Sequence, residues 1–194
     1  IHRGHQAMLA RLTEAADDLA LPAAVLTFDP PPREFFAREA APPRLSSLRA
    51  KLERFAAHEV ARVYVARFDA RLASLSPEAF IDDVLVRRLG VRWLLVGEDF
   101  RFGKGRSGDL STLRRVARTI SIEAMRTVAI EGERASSTAV RAALAWLRLA
   151  SGRRVHRATD MAVQEDLAHA DVAVDAGSDC QRIVCRELVR QLRV

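Results

Sequence analysis

His2 and His5 stand three residues apart at the start of the chain, with Gly4 between them. On one helical turn the two imidazoles face the same way, and the glycine lets a ligand come close to the backbone. A second stretch, Ser136-Ser137-Thr138-Ala139-Val140-Arg141, puts hydroxyls at a helix start and a guanidinium one turn in. Helix starts carry unpaired N–H groups and a positive dipole end, so both stretches suit phosphate. Ser136, Ser137, Thr138 and Arg141 together suit a di- or triphosphate tail. The competing readings are a surface histidine beside a capping one, and a well-capped helix with a solvated arginine.

Two further stretches carry polar groups after apolar runs. Asp29 follows the run Ala23-Ala24-Val25-Leu26-Thr27-Phe28 and precedes Pro30-Pro31-Pro32. It could orient a ligand or a metal-bound water, or cap a turn; the prolines make that loop rigid rather than catalytic. The loop from Gly97 to Gly108 combines four glycines with Phe100, Phe102, Arg101 and Lys104. Its glycines let backbone approach a planar ligand that Phe100 or Phe102 could pack on. The alternative is an ordinary loop whose phenylalanines tuck into the core.

The elements that must position these groups alternate. Residues 4–20 read as an amphipathic helix ended by Pro22, with Met8, Leu9, Leu12, Ala15, Ala16 and Leu19 on one stripe. A buried strand follows at 23–28, then a helix at 47–58 opened by Ser46 or Ser47, and a strand at 62–66. Ser76-Pro77-Glu78 starts a helix that runs to Leu89 and stops at Gly90. Strands are expected at 93–96 and 121–130. Asp109 caps a helix to Arg118, and Ser136 or Ser137 opens one to Leu149. Residues 151–154 read as a linker, followed by a helix at 160–169, a strand at 171–175 and a helix at 179–192. Alternating strands and helices predict an α/β fold, a mostly parallel sheet with helices on both faces. Ligands of such sheets sit beyond the carboxyl ends of the strands, where His2, Asp29, Gly97–Gly108 and Ser136 all fall if a strand precedes His2.

The chain has 194 residues and a formal net charge of +6, and its only lysines are Lys51 and Lys104. That length fits one α/β domain, or one with a small appendage. A basic balance suits phosphate-bearing ligands. The arginines are scattered through amphipathic segments rather than blocked together, which argues against nucleic acid as a partner. Cys180 and Cys185 lie close together near the end without a zinc-ligand pattern, so the expected compartment is a reducing cytoplasm. No apolar run is long enough to span a membrane, and no secretory segment is present. The chain opens on Ile1 rather than Met, which predicts an upstream piece.

Ile1-His2-Arg3-Gly4-His5-Gln6 resembles the end of the Gly-x-Phe-Asp-Gly-Val-His-x-Gly-His-Gln signature of bacterial FAD synthetase, the bifunctional riboflavin kinase/FMN adenylyltransferase family. Thr27-Phe28-Asp29-Pro30-Pro31-Pro32-Arg33-Glu34-Phe35-Phe36 is similar to its second motif, with Pro31 where His is frequent. Leu45-Ser46-Ser47-Leu48-Arg49-Ala50-Lys51 and Leu75-Ser76-Pro77-Glu78-Ala79-Phe80 fit the same family. Val96-Gly97-Glu98-Asp99-Phe100-Arg101-Phe102-Gly103 resembles a third motif, and Ser136-Ser137-Thr138-x-x-Arg141 the nucleotidyltransferase signature Ser-Ser-x-x-x-Arg.

The resemblance implies a Rossmann-like nucleotidyltransferase fold over residues 1–150 and the adenylyltransferase reaction: FMN plus ATP gives FAD plus pyrophosphate, with Mg²⁺. It implies catalytic roles for His2, His5 and Arg141. ATP would be bound by His2, Gly4, His5, Ser136, Ser137, Thr138 and Arg141, and flavin by Thr27, Asp29, Asp99, Phe100 and Phe102. No side chain is assigned as a metal ligand, and no oligomeric state is implied. The family's upstream strand, which would be central to the sheet, and its Gly-x-Phe-Asp-Gly turn do not occur here. Residues 151–194 lack the Gly-rich segment and Pro-Thr-Ala-Asn run of a riboflavin kinase barrel, so kinase activity is not expected and the role of this extension is unassigned. Two alternatives remain: a nucleotidyltransferase acting on another phosphate, which a substrate panel would separate, and a nucleotide-binding module without turnover.

Overall fold

The apolar runs form strands β1 (Ala23–Asp29), β2 (Arg62–Arg67) and β3 (Val91–Gly97), and β4 (Ser121–Met125) follows. In the computed structural model, which describes residues 1–126, 129–130, 133–134, 136–150 and 183–186, these strands join β7 (Ile183–Arg186) in a five-stranded sheet of order β2-β1-β7-β3-β4. Every pairing in it is parallel. Ala129–Ile130 (β5) and Glu133–Arg134 (β6) pair antiparallel as a separate ribbon. The strand expected over 121–130 is therefore broken after Met125.

Both faces of the sheet are covered. The helix α1 (Arg3–Asp18) sets Leu9, Leu12, Ala15 and Ala16 against Val25, Val63, Trp93 and Leu95, together with Phe55 of α3 (Leu48–Ala56). The opposite side chains of the same strands, among them Leu26, Phe28, Leu94 and Val96, meet Phe80, Ile81 and Leu85. Those three lie on a helix that opens at Ser76 as α5 (Pro77–Ala79) and widens to π-helical winding over Phe80–Arg88. Side chains of neighbouring strand residues point to opposite faces, so one strand such as β1 feeds both layers. The expected α/β architecture with helices on both faces is present. Arg11 fixes α1 on the sheet through two bonds to Glu123 of β4, 2.9 and 2.8 Å, with its guanidinium 5.6 Å from the Trp93 ring centre.

β7 corrects the helix expected over 179–192. β1 and β3 are buried along almost their whole length, the pattern of strands with a neighbour on each side. β2 and β4 supply one neighbour each, and β7 supplies the other to both. It aligns Val184 with Ala23 and Trp93, and Cys185 with Ala24 and Leu94. A run of Ile-Val-Cys suits a strand better than a helix, and the unmet backbone groups of β1 and β3 outweigh the Val184, Leu188, Leu192 helical stripe. The central place that the family resemblance gives to an upstream strand is held by β7. The linker at 151–154, the helix at 160–169, the strand at 171–175 and the rest of 179–192 lie outside the described residues.

The remaining helices are α2 (Pro32–Phe36), α4 (Ala70–Ala73), α6 (Leu110–Val116) and α7 (Ser137–Ala150). Side-chain caps read from the sequence are present: Ser47, Ser76 and Asp109 each accept a backbone N–H of their own helix. Hydrogen bonds from Ser111 and from Thr112 hold the Asp109 carboxylate well below its ordinary pKa.

The 97–108 loop is pinned by its glycines. Phe102 and Gly108 exchange two backbone bonds of 3.0 and 2.9 Å, and Lys104 N–H donates to the Leu75 carbonyl at 2.7 Å. Gly103 has φ +72°, and a Cβ there would lie 2.8 Å from the Pro77 Cγ and backbone nitrogen. Both the left-handed backbone and the clash oppose a side chain. Gly103→Ala is expected to destabilise the fold by about 2–4 kcal/mol, read as a lower midpoint in urea; an unchanged midpoint would contradict this packing.

Candidate functional site

Direction along the chain decides where the candidate groups gather. α1 leads through a short turn into the amino end of β1, so it runs antiparallel to the strands and its first turn lies toward their carboxyl ends. His2 caps that turn through its backbone: its carbonyl accepts the His5 and Gln6 N–H groups at 2.8 and 3.1 Å. The His2 side chain makes no capping bond. Instead its ring lies against His5, centroids 3.8 Å apart, with both His2 ring nitrogens and His5 Nδ1 buried. Gly4 is buried within the turn. The same-face placement expected from the spacing is present.

The second helix start is tied to the segment that leaves the carboxyl end of β1. Ser136 Oγ accepts the Ala139 N–H at 3.1 Å, and the Ser136 carbonyl accepts that of Val140 at 3.0 Å. Ser137 opens α7, and Thr138 is exposed on its first turn. One turn in, Arg141 donates through Nε to the Pro43 carbonyl at 3.0 Å and through Nη1 to the Ser137 carbonyl at 3.4 Å. Pro43 belongs to the segment that follows β1 and α2. Its neighbour Arg44 donates to Asp29 Oδ1 at 3.1 Å and grips Glu34 through two bonds of 2.6 and 2.9 Å. That grip holds the Glu34 carboxyl below its usual pKa. These contacts fasten the start of α7 to the carboxyl end of β1. Burial, and after it the charge of Arg33, pull the Arg141 pKa below its ordinary value; a guanidinium stays charged in proteins regardless.

Asp29 ends β1, joined to Pro30 by a cis peptide bond, and its carboxylate is engaged by Arg44. Thr27 is buried in β1 and accepts from Lys51 Nζ at 3.3 Å. Asp99 is half-buried in the turn after β3. Phe100 and Phe102 are 3 and 1% exposed, stacked 5.1 Å apart within the core layer around Phe80. Of the two readings of this loop, these rings occupy the core position, and a ligand at the sheet edge would meet the loop backbone they anchor. Among the described residues no three His, Cys, Asp or Glu side chains converge as a metal cage.

Three participants at this edge were not singled out by type and spacing. Arg44 is readable only through its distant partners Asp29 and Glu34. Lys51 had a signal as one of two lysines in an arginine-rich chain. Arg33 stood inside a motif without a role. Among the described residues no helix is long and apolar enough to cross a membrane.

Comparison with known proteins gives the chain its relatives. Residues 1–139 match the family described as FAD synthetase. The bifunctional riboflavin kinase/FMN adenylyltransferase of Pseudomonas fluorescens is 48% identical over 147 residues, 75% of this chain and 47% of that protein. The Escherichia coli (strain K12) protein of the same name is 46% identical over the same share. A putative bifunctional riboflavin kinase/FMN adenylyltransferase of Geobacillus thermodenitrificans is 38% identical over 142 residues, 73% of this chain and 75% of that relative. The chain thus spans about half the length of the first two relatives. Among solved structures, one described as a macrolide-efflux protein from Streptococcus pneumoniae superposes with a TM-score of 0.63 at 22% identity, covering 74% of this chain and 48% of that one; at that identity it speaks for the fold alone. With the doubly covered parallel sheet, the paired histidines on one helix start and the Ser-Ser-x-x-x-Arg turn on another, the match over residues 1–139 settles the kinship: this chain belongs to the FAD synthetase family.

Proposed function

We propose that the chain is an FMN adenylyltransferase, moving AMP from ATP to FMN with release of pyrophosphate. The observation that carries the reading is the pair of phosphate-type helix starts at one sheet edge, the His2–His5 pair on α1 and the Ser136 cap with Arg141 on α7, in a member of this family.

The FMN phosphate, with a second pKa near ~6, is already anionic at neutral pH. It needs no strong base. An FMN phosphate oxygen attacks the α-phosphorus of ATP, the bond from that phosphorus to the bridging oxygen breaks, and pyrophosphate leaves with the bonding pair. The protein's task is in-line placement and cancellation of charge on the leaving group. In this assignment His2 and His5 donate to the triphosphate as charge develops, and Gly4 lets it approach α1. Ser136, Ser137, Thr138 and Arg141 hold the β- and γ-phosphates. Thr27, Asp29 and Asp99 border the flavin side, with Phe100 and Phe102 holding the loop that Asp99 sits on. Mg²⁺ would arrive on the ATP phosphates, as it commonly does; the described residues offer it no cage of their own, and no step is derived through it. The cytoplasm, where both substrates meet, is the compartment that goes with this reading.

The assignment of His5 and Arg141 to the triphosphate is tested by calorimetric binding of ATP and FMN to a His5→Ala, Arg141→Ala double variant. The expected result is loss of ATP affinity by about 10²-fold or more. Parent-like binding of both ligands would show the site to be elsewhere.

A further inference from the structure

Arg33 lies on α2, and its Nε is buried without a hydrogen-bond partner among the described residues. No described carboxylate takes up its charge. Its neighbour Glu34 faces Arg44 with both oxygens, and the nearby Asp29 is held by the same Arg44. Arg141 reaches the same segment by donating to the Pro43 carbonyl. The Arg33 charge is close enough to disfavour the charged form of Arg141. Two guanidiniums brought to one segment, one with a buried Nε that no described acceptor meets and with the local acids committed to Arg44, suit an anion between them. A phosphate chain fits: each guanidinium presents a planar fork of donors to it, and the start of α7 adds N–H groups beside it.

We propose that Arg33 is a second phosphate-binding arginine, forming with Arg141 a clamp on the pyrophosphate end of the nucleotide. The proposal rests on the adenylyl-transfer reading above and adds to it a ligand that the motifs did not assign. The clamp takes the β- and γ-phosphates rather than the FMN phosphate, because its other half is the arginine of the Ser-Ser-x-x-x-Arg turn. It acts as charge moves to the leaving pyrophosphate when the bond to the α-phosphorus breaks.

The test uses the full chain and sodium pyrophosphate as probe, with Arg33→Ala and Arg33→Lys. Calorimetry is expected to show pyrophosphate affinity weakened by about 10-fold or more in Arg33→Ala and partly restored in Arg33→Lys, which keeps the charge and loses the fork. The thermal midpoint without ligand is expected to stay level or rise, since a repulsion is removed. In turnover the KM for ATP rises while that for FMN holds. Unchanged pyrophosphate affinity in Arg33→Ala would overturn the clamp, as would a rise in the KM for FMN alone. If the parent chain binds pyrophosphate but forms no FAD, the adenylyl-transfer reading fails, while the difference between parent and Arg33→Ala still decides the clamp. A parent chain that does not bind pyrophosphate would overturn both.

Discussion

Arg141→Ala is expected to lower kcat/KM for FAD formation by about 10²- to 10³-fold, the usual cost of removing one donor to charge that develops in a transition state. Arg141 is fastened for that role rather than for folding. Its bonds run to the carbonyls of Pro43 and Ser137, and they aim the guanidinium without neutralising it. The fold should tolerate the loss, with a thermal midpoint within about 4 °C of the parent, because the same change removes the repulsion with Arg33. Arg141→Lys should recover only part of the activity, since an ammonium cannot grip two oxygens in a plane. Steady-state kinetics beside a thermal melt separate these outcomes. A kcat/KM within about threefold of the parent would remove Arg141 from the phosphate site.

The second large effect is on the sheet itself. Val184→Pro is expected to destabilise the chain by about 3 kcal/mol or more, a large share of the 5–15 kcal/mol typical of a folded domain. Val184 sits at a central ladder position between Ala23 and Trp93, where proline removes a donor and leaves no room for the ring. Val184→Thr, which keeps the branched side chain and the N–H, should cost far less. Urea unfolding gives the difference, and hydrogen exchange gives a second reading: amides at 183–186 should be protected to the level of β1 and β3. Fast exchange there, with an unshifted midpoint for Val184→Pro, would mean that β7 does not close the sheet.

Legibility in the sequence followed the range of the interactions. Short-range rules placed β1, β2 and β3 from their apolar runs, placed Ser76 and Asp109 at helix starts, and narrowed two more caps to Ser46 or Ser47 and Ser136 or Ser137, because capping is settled within four residues. The His2–His5 pairing was readable for the same reason, a spacing of one turn. What depended on distant segments was not. Val184 in β7 opens a helical stripe with Leu188 and Leu192, yet the four residues of β7 lie between strands about 90 and 160 positions earlier in the chain and answer their unmet backbone groups. Arg33 and Arg44 look alike as exposed arginines in a proline-rich stretch. Only the folded contacts show that Arg44 is spent on Asp29 and Glu34 while the Arg33 Nε is buried without a partner among the described residues. Phe100 and Phe102 illustrate the opposite case: aromatic residues in a glycine-rich loop fit a ligand platform and a core plug equally well until burial is known.

The most direct measurement of the central claim is pyrophosphate release from ATP and Mg²⁺ by the full chain on adding FMN, with FAD identified by chromatography. The account predicts release that requires FMN, matches FAD mole for mole, and is lost in Arg141→Ala. Bound ATP with no FMN-dependent release, or faster release with a different phosphate acceptor than with FMN, would contradict it.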